Sequence, residues 1–186
     1  MEKKRCHWAQ NVPEIYEVYH DEEWGVPQHD DKRLFEMLIL EGFQAGLSWL
    51  TILKKREAFR KAFDYFDVQK VANYTDEKIE ILMNNADIVR NRRKIEASRR
   101  NAQVFMQIQK EYGSFDSYLW GFTENQVVYD HGDIIPSSTP LSDNISKDLK
   151  KRGMNFVGTT IIYAYLQAVG VVHSHEQECF LYHKAS

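Results

Sequence analysis

The sequence predicts an all-α fold. Apolar residues recur at three- and four-residue spacing along most of the chain, and strand-like alternation is nearly absent. Most of the periodic stretches are preceded by a capping side chain or followed by glycine. Asp30 or Asp31 caps a helix over 32–42, with Leu34, Phe35, Leu38 and Ile39 apolar. Ser48 caps a second helix over 49–63, with Leu50, Ile52, Leu53, Phe59 and Phe63 at helical spacing. Thr75 followed by Asp76 and Glu77 starts a third, because acids favour the first turn. A long helix over 93–112 ends at Gly113, a left-handed cap. Ser114 opens a short aromatic helix holding Phe115, Tyr118, Leu119 and Trp120. Residues 123–140, with Pro136 and Pro140, read as a loop with a short extended piece at 127–129. Two last helices cover 142–152 and 159–168, ending near Gly153 and Gly170.

No repeat or linker divides the 186 residues, so they are read as one domain, 1–186. Hydrophobic residues at 43% and charged residues at 27% fit a water-soluble protein. The net charge of −3 excludes a global basic field, so any nucleic-acid contact must come from a local patch. The charged start, Met1-Glu2-Lys3-Lys4-Arg5, has no apolar run behind it. That predicts no signal peptide, no membrane contact and a cytoplasmic location. Two cysteines in a reducing compartment argue against a structural disulfide, leaving free thiols or metal ligands.

One local patch lies in the stretch from Ser146 to Thr160. A helix bearing Lys147, Lys150, Lys151 and Arg152 meets a turn between Gly153 and Gly158, and an apolar helix then begins at Thr159. The amides of Gly158, Thr159 and Thr160 would lie at a helix N-terminus, where unpaired N–H groups and the dipole favour a phosphate. The stretch resembles a helix-hairpin-helix that grips a DNA backbone; an ordinary αα-hairpin with a solvated basic face has the same pattern. Arg90, Arg92, Arg93, Lys94, Arg99 and Arg100 form a second basic cluster.

Cys6 and His20 lie near one end of the chain, His175 and Cys179 near the other. His175-x3-Cys179 puts two ligands on one face of a helical turn. Two thiolates and two imidazoles would satisfy tetrahedral Zn²⁺ with no open position, which is a structural site. The spacing alone does not select this set, because His7, His173 and His183 are equally near the ends.

Trp8, Tyr16, Tyr19, Trp24 and Trp49 crowd the N-terminal quarter. They could be core, or a stacking pocket for a flat, cationic ring. Glu41 ends the run Met37-Leu38-Ile39-Leu40 at the negative end of a helix dipole, a mildly unfavourable place for an acid. It is either a functional carboxylate or a surface residue just past a buried face. The bend at Gly46-Leu47 places an apolar side chain that is either core or a wedge filling the gap left by a flipped base.

Together these segments resemble the 3-methyladenine DNA glycosylase I family, within the helix-hairpin-helix superfamily. The matching motifs are Arg5-Cys6 with Trp8, Tyr19-His20-Asp21 with Glu23-Trp24-Gly25-Val26-Pro27, and Leu40-Glu41-Gly42 with Gln44-Ala45-Gly46-Leu47-Ser48-Trp49. Leu149-Lys150-Lys151-Arg152-Gly153 followed by Phe156-Val157-Gly158-Thr159-Thr160 completes the set. The resemblance implies hydrolysis of the N-glycosidic bond of N3-methyladenine in double-stranded alkylated DNA, with free 3-methyladenine as product. It implies one structural Zn²⁺ on Cys6, His20, His175 and Cys179. It gives Glu41 the base edge and Trp49 the stacking face, lines the pocket with Tyr16, Tyr19, Trp24 and Trp8, and makes Gly46-Leu47 the plug. A monomer is the simple expectation.

The sequence departs from the family pattern at Asp87, Arg93 and Phe43; Phe43 is expected near the pocket, where it would bear on base selectivity. Residues 171–179 contain no aspartate, which predicts neither an aspartate nucleophile nor lyase activity. The alternatives are a glycosylase with a broader range of alkylpurines, or a zinc-stabilised module that binds damaged DNA without cleaving it.

Overall fold

The computed structural model describes residues 3–132 and 134–182; His183 lies outside them. Nine α-helices are present among the described residues: α1 (Glu14–Glu22), α2 (Asp31–Gln44), α3 (Trp49–Ala62), α4 (Val68–Ala72), α5 (Asp76–Met83), α6 (Arg92–Tyr112), α7 (Phe115–Gly121), α8 (Pro140–Lys151) and α9 (Thr159–Ala168). None is long and apolar enough to cross a membrane.

The capping chemistry holds where it was expected. Asp30, Ser48, Thr75 and Ser114 each accept a hydrogen bond from a first-turn amide of the helix they precede. Asn91 does the same for α6, which ends at Gly113 with φ +86°. Helix α8 starts at Pro140 rather than 142, because Thr139 and Ser142 form a reciprocal capping box and proline suits the first helical position.

Helices α1 and α4 were not anticipated. Pro13 precedes α1 with no side-chain cap, so the usual start signal is missing. Helix α4 has only five residues. The segment 175–179 is not a helix: a turn closed by Cys179 N–H donating to Glu176 O (2.8 Å) brings the two ligands together instead. The extended piece at 127–129 becomes β1 (Val128–Tyr129), paired in parallel with β2 (Val172–His173), a partner too distant in sequence for local pattern to reveal.

Helix α2 is the axis of the molecule. Leu34 to Phe43 are all buried, as expected for a helix surrounded by others. Phe35, Phe43, Phe59, Phe63, Phe66, Phe105 and Phe115 fill the core around it. At one end of α2 the chain after α1 is stitched to α9: Gly25 N–H donates to Gln167 O (3.0 Å) and Gln28 N–H to Val169 O (2.9 Å). Gly170 permits this approach. Its φ is +74°, and a Cβ there would lie 2.3 Å from the Val26 carbonyl carbon.

Candidate active site

The stitched segments bring distant aromatics to one place. Trp8 comes from the 3-10 turn His7–Ala9, Tyr16 and Tyr19 from one face of α1, and Trp24 from just beyond it. Glu41 and Gln44 come from α2, Trp49 from the start of α3, Ala164 and Gln167 from α9, and Ile135 from the loop before α8. They line one cavity of about 270 Å³. Trp8 packs on Tyr16 (centroids 5.2 Å) and on Trp24 (5.0 Å), and Tyr19 on Trp49 (5.5 Å). A flat ring entering this space meets aromatic faces and edges.

Glu41 is 4% exposed. No described residue hydrogen-bonds its carboxylate, and burial pushes its pKa up to about 8. The phenols of Tyr16 and Tyr19 are likewise raised, first by burial and then by the charge of Glu41, so both remain O–H donors beside it. Beyond Glu41, Lys94 reaches under the end of α2 and donates to the carbonyls of Phe43 (2.9 Å) and Ala45 (2.5 Å). This satisfies the helix terminus.

The backs of Trp8 and Trp24 abut the Cys/His set. Trp8 meets His20 edge-on (5.1 Å), and Trp24 meets His175 (4.7 Å). Cys6, His20, His175 and Cys179 are all buried, with candidate ligand atoms within 4.8 Å of one another. The nearer S···N separations are 3.5 Å for Cys6–His175, and 3.6 Å for both Cys179–His175 and Cys179–His20. Both rings are anchored by the other nitrogen. His20 Nδ1 donates to Asp21 Oδ1 (2.8 Å), and Asp21 is held in turn by Arg5 through two hydrogen bonds of 2.9 Å. His175 Nε2 donates to the Trp24 carbonyl (3.2 Å). His20 Nε2, which also lies 3.4 Å from the Cys6 N–H, and His175 Nδ1 thereby face the two sulfurs. Burial pushes the Cys6 thiol well up, a cost that a cation would reverse. This cluster could hold a metal ion.

Helices α8 and α9 form a hairpin tied by Ser146 Oγ donating to Val157 O (2.7 Å) and by Asn101 of α6 bonding both N–H and C=O of Asn155 (2.9 Å each). Gly158 gives α9 no side-chain cap, so its first-turn amides, including those of Thr159 and Thr160, stay open. The Thr159 hydroxyl is turned inward to Asp143 and Ser142. Lys147, Lys150 and Lys151 are exposed and make no ion pair among the described residues. Between α2 and α3, Gly46 has φ +80° and Leu47 is 39% exposed, so Leu47 is not core.

The sequence profile of the family described as methyladenine glycosylase matches residues 8–182. DNA-3-methyladenine glycosylase 1 of Escherichia coli (strain K12) is 47% identical over 182 residues, 96% of this chain and 97% of that one. The chain belongs to the methyladenine glycosylase family. DNA-3-methyladenine glycosylase of Haemophilus influenzae is 43% identical over 178 residues, 94% of this chain and 96% of that one. A crystal structure of a 3-methyladenine DNA glycosylase I matches with a TM-score of 0.92 at 45% identity, covering 97% of this chain and all (100%) of that one. A Staphylococcus aureus 3-methyladenine DNA glycosylase I, whose structure is described as the basis of 3-methyladenine recognition, matches with a TM-score of 0.92 at 37% identity, covering 98% of both chains.

Within this methyladenine glycosylase fold, the six residues expected at the base pocket do converge. Others expected to matter do not. Phe43 sits two residues from Glu41, on the far side of α2, packed on Phe59 (4.8 Å) and Phe63 (5.8 Å). It does not line the cavity. The second basic cluster is largely spent internally: Lys94 caps α2, Arg92 pairs with Glu80, and Arg99 with Asp76. Arg100 donates to Gly153 O (3.3 Å), which leaves Arg90 and Arg93. In the hairpin, Arg152 is taken by Glu111 and Asp148. Gln44, Ile135, Ala164 and Gln167 were missed. Gln167 did carry a signal: like Glu41, it is a polar residue interrupting a buried apolar run, here from Ile161 to Val172.

Proposed function

We propose that this chain flips N3-methyladenine out of double-stranded alkylated DNA and hydrolyses its N-glycosidic bond, as a monofunctional enzyme in a single domain. The observation that carries this is Glu41: an unpartnered acceptor buried at the back of an aromatic cavity. A carboxylate there accepts hydrogen bonds from the exocyclic amine and attracts a cationic base. The relatives' names supply the same substrate.

In the lesion the base is cationic, so its bond to the sugar is already weak. The C1′–N9 electron pair moves onto the base, which leaves neutral. A water oxygen bonds to C1′ and releases a proton to solvent. No general acid is needed at the leaving group. The chain's contribution is positioning and electrostatics. Trp49 stacks on the base; Tyr16, Tyr19, Trp24 and Trp8 wall it in and exclude water. Gly46 lets the α2–α3 bend turn sharply, and Leu47 fills the vacated place in the duplex. The amides of Gly158, Thr159 and Thr160 with Lys151 hold a phosphate.

The metal the cluster fits is zinc, one per chain. Cys6, His20, His175 and Cys179 would hold it: two thiolates and two imidazole nitrogens are a donor set zinc takes, and three of their S···N separations are 3.5–3.6 Å. With all four donors supplied by the chain, zinc there would supply structure and not reaction chemistry. The anchoring of both rings by Asp21 and the Trp24 carbonyl is the outer shell such a site uses. The protein works as a monomer, in the compartment that holds its DNA.

The test is to incubate methylated DNA with the protein and identify the bases set free. Release of 3-methyladenine, greatly reduced in Glu41→Gln, is expected. Undiminished release by that variant removes the Glu41 role, and intact binding to methylated DNA with no base released favours a damage-binding module.

A further inference from the structure

Gln167 is an unclaimed polar group in the pocket. It is 9% exposed and lines the same cavity as Glu41. Its backbone carbonyl accepts from Gly25, but among the described residues its carboxamide makes no hydrogen bond. An amide that faces a cavity with no protein partner is free to be completed by a ligand.

We infer that Gln167 is a specificity residue that reads the adenine edge, donating through Nε2 to the ring nitrogen beside the 6-amino group, N1 or N7. The inference rests on the proposed methyladenine pocket. An ionised Glu41 only accepts, so it satisfies the 6-amino hydrogens but leaves the adjacent ring nitrogen without a donor. Other donors in the cavity are committed. Gln44 Nε2 donates to Leu47 O (3.3 Å). Trp49 Nε1 is unpaired, but it lies in the plane of a ring that stacks on the base, so it cannot point at that base's edge. The Tyr16 and Tyr19 hydroxyls lie in the field of Glu41, whose charge raises both phenols and draws their protons toward itself rather than toward the ring nitrogen. Gln167 offers a donor and an acceptor on one planar amide, the pattern that matches adenine at the 6-amino group and its neighbouring nitrogen.

The experiment is a binding cycle on the full chain, read by quenching of pocket tryptophan fluorescence. Above about pH 8, where Glu41 is ionised, wild type and Gln167→Leu are each titrated with 3-methyladenine, its 1-deaza analogue and its 7-deaza analogue. Wild type should bind one deaza analogue about tenfold more weakly than 3-methyladenine, the size of one hydrogen bond. Gln167→Leu should bind 3-methyladenine about tenfold more weakly and should no longer distinguish that analogue. Wild type binding all three equally, or a variant that keeps the discrimination, overturns the role of Gln167 alone. Wild type failing to bind 3-methyladenine at all overturns this inference together with the proposed function.

Discussion

His175 donates through Nε2 to the carbonyl oxygen of Trp24 at 3.2 Å while its Nδ1 faces the sulfurs of Cys6 and Cys179. One imidazole therefore belongs to the Cys/His cluster and braces a wall of the base cavity. If the cluster holds the proposed zinc, stripping it with a chelator should lower the melting temperature and weaken 3-methyladenine binding together, because Trp24 and Trp8 lose their backing. Metal analysis, thermal melts and base titrations on the same samples check this. Loss of metal with unchanged base affinity would show the two sites to be independent.

Glu41→Gln should trade function for stability. The carboxyl has an ordinary pKa of 4.5 and about 8 when buried. Between these values the folded state holds a proton that the unfolded state has lost, so stability falls as pH rises through that window. The penalty is complete above pH 8, and glutamine removes it. The variant should therefore gain stability relative to wild type as pH is raised from 5 to 9, by an amount on the order of a few kcal/mol, while excision drops. Denaturant melts across that range and single-turnover assays measure the two effects.

The same burial makes cation binding proton-linked. Below about pH 8 the empty pocket holds Glu41 neutral, and a bound cation favours the ionised form. Affinity for a permanently cationic 3,9-dialkyladenine should rise up to about tenfold per pH unit and level off above that value. Neutral 3-methyladenine lacks the charge that drives this and should show a much shallower profile. Parallel profiles for the two ligands would remove the electrostatic role of Glu41.

Local chemistry made most of the fold legible: Ser48, Thr75 and Ser114 sit before apolar stretches, and each caps a helix. Glu41 stood out because an acid at the end of an apolar helix works against both burial and dipole. What stayed hidden depends on partners remote in sequence. Val128 pairs with Val172, and Ile135 reaches the cavity from a loop without periodicity. Arg92 and Arg99 read as surface charge because Glu80 and Asp76, their partners, lie on another helix. Helix α1 was missed because Pro13 gives no side-chain cap.

Phe43 tests a misreading of that kind. Adjacent in sequence to the pocket, it faces the core with Phe59 and Phe63. Phe43→Leu should cost about 1–2 kcal/mol of stability and leave the ratio of 3-methyladenine to 7-methylguanine released unchanged. A shifted ratio at unchanged stability would put Phe43 back in the pocket.

Two lysines separate surface charge from structural charge. Lys151 is exposed at the end of α8 and has no ion pair among the described residues, whereas Lys94 is buried and spends its ammonium on the carbonyls of Phe43 and Ala45. Each phosphate contact contributes about −0.9 to the slope of log affinity against log salt. Lys151→Ala should weaken binding to any duplex and make that slope shallower by about one contact, with little change in stability. Lys94→Met should leave the slope as it is and destabilise the fold by about 2 kcal/mol or more, since two carbonyls lose a charged donor. If instead Lys94→Met flattens the salt dependence and Lys151→Ala does not, the DNA lies across α6 and not on the hairpin.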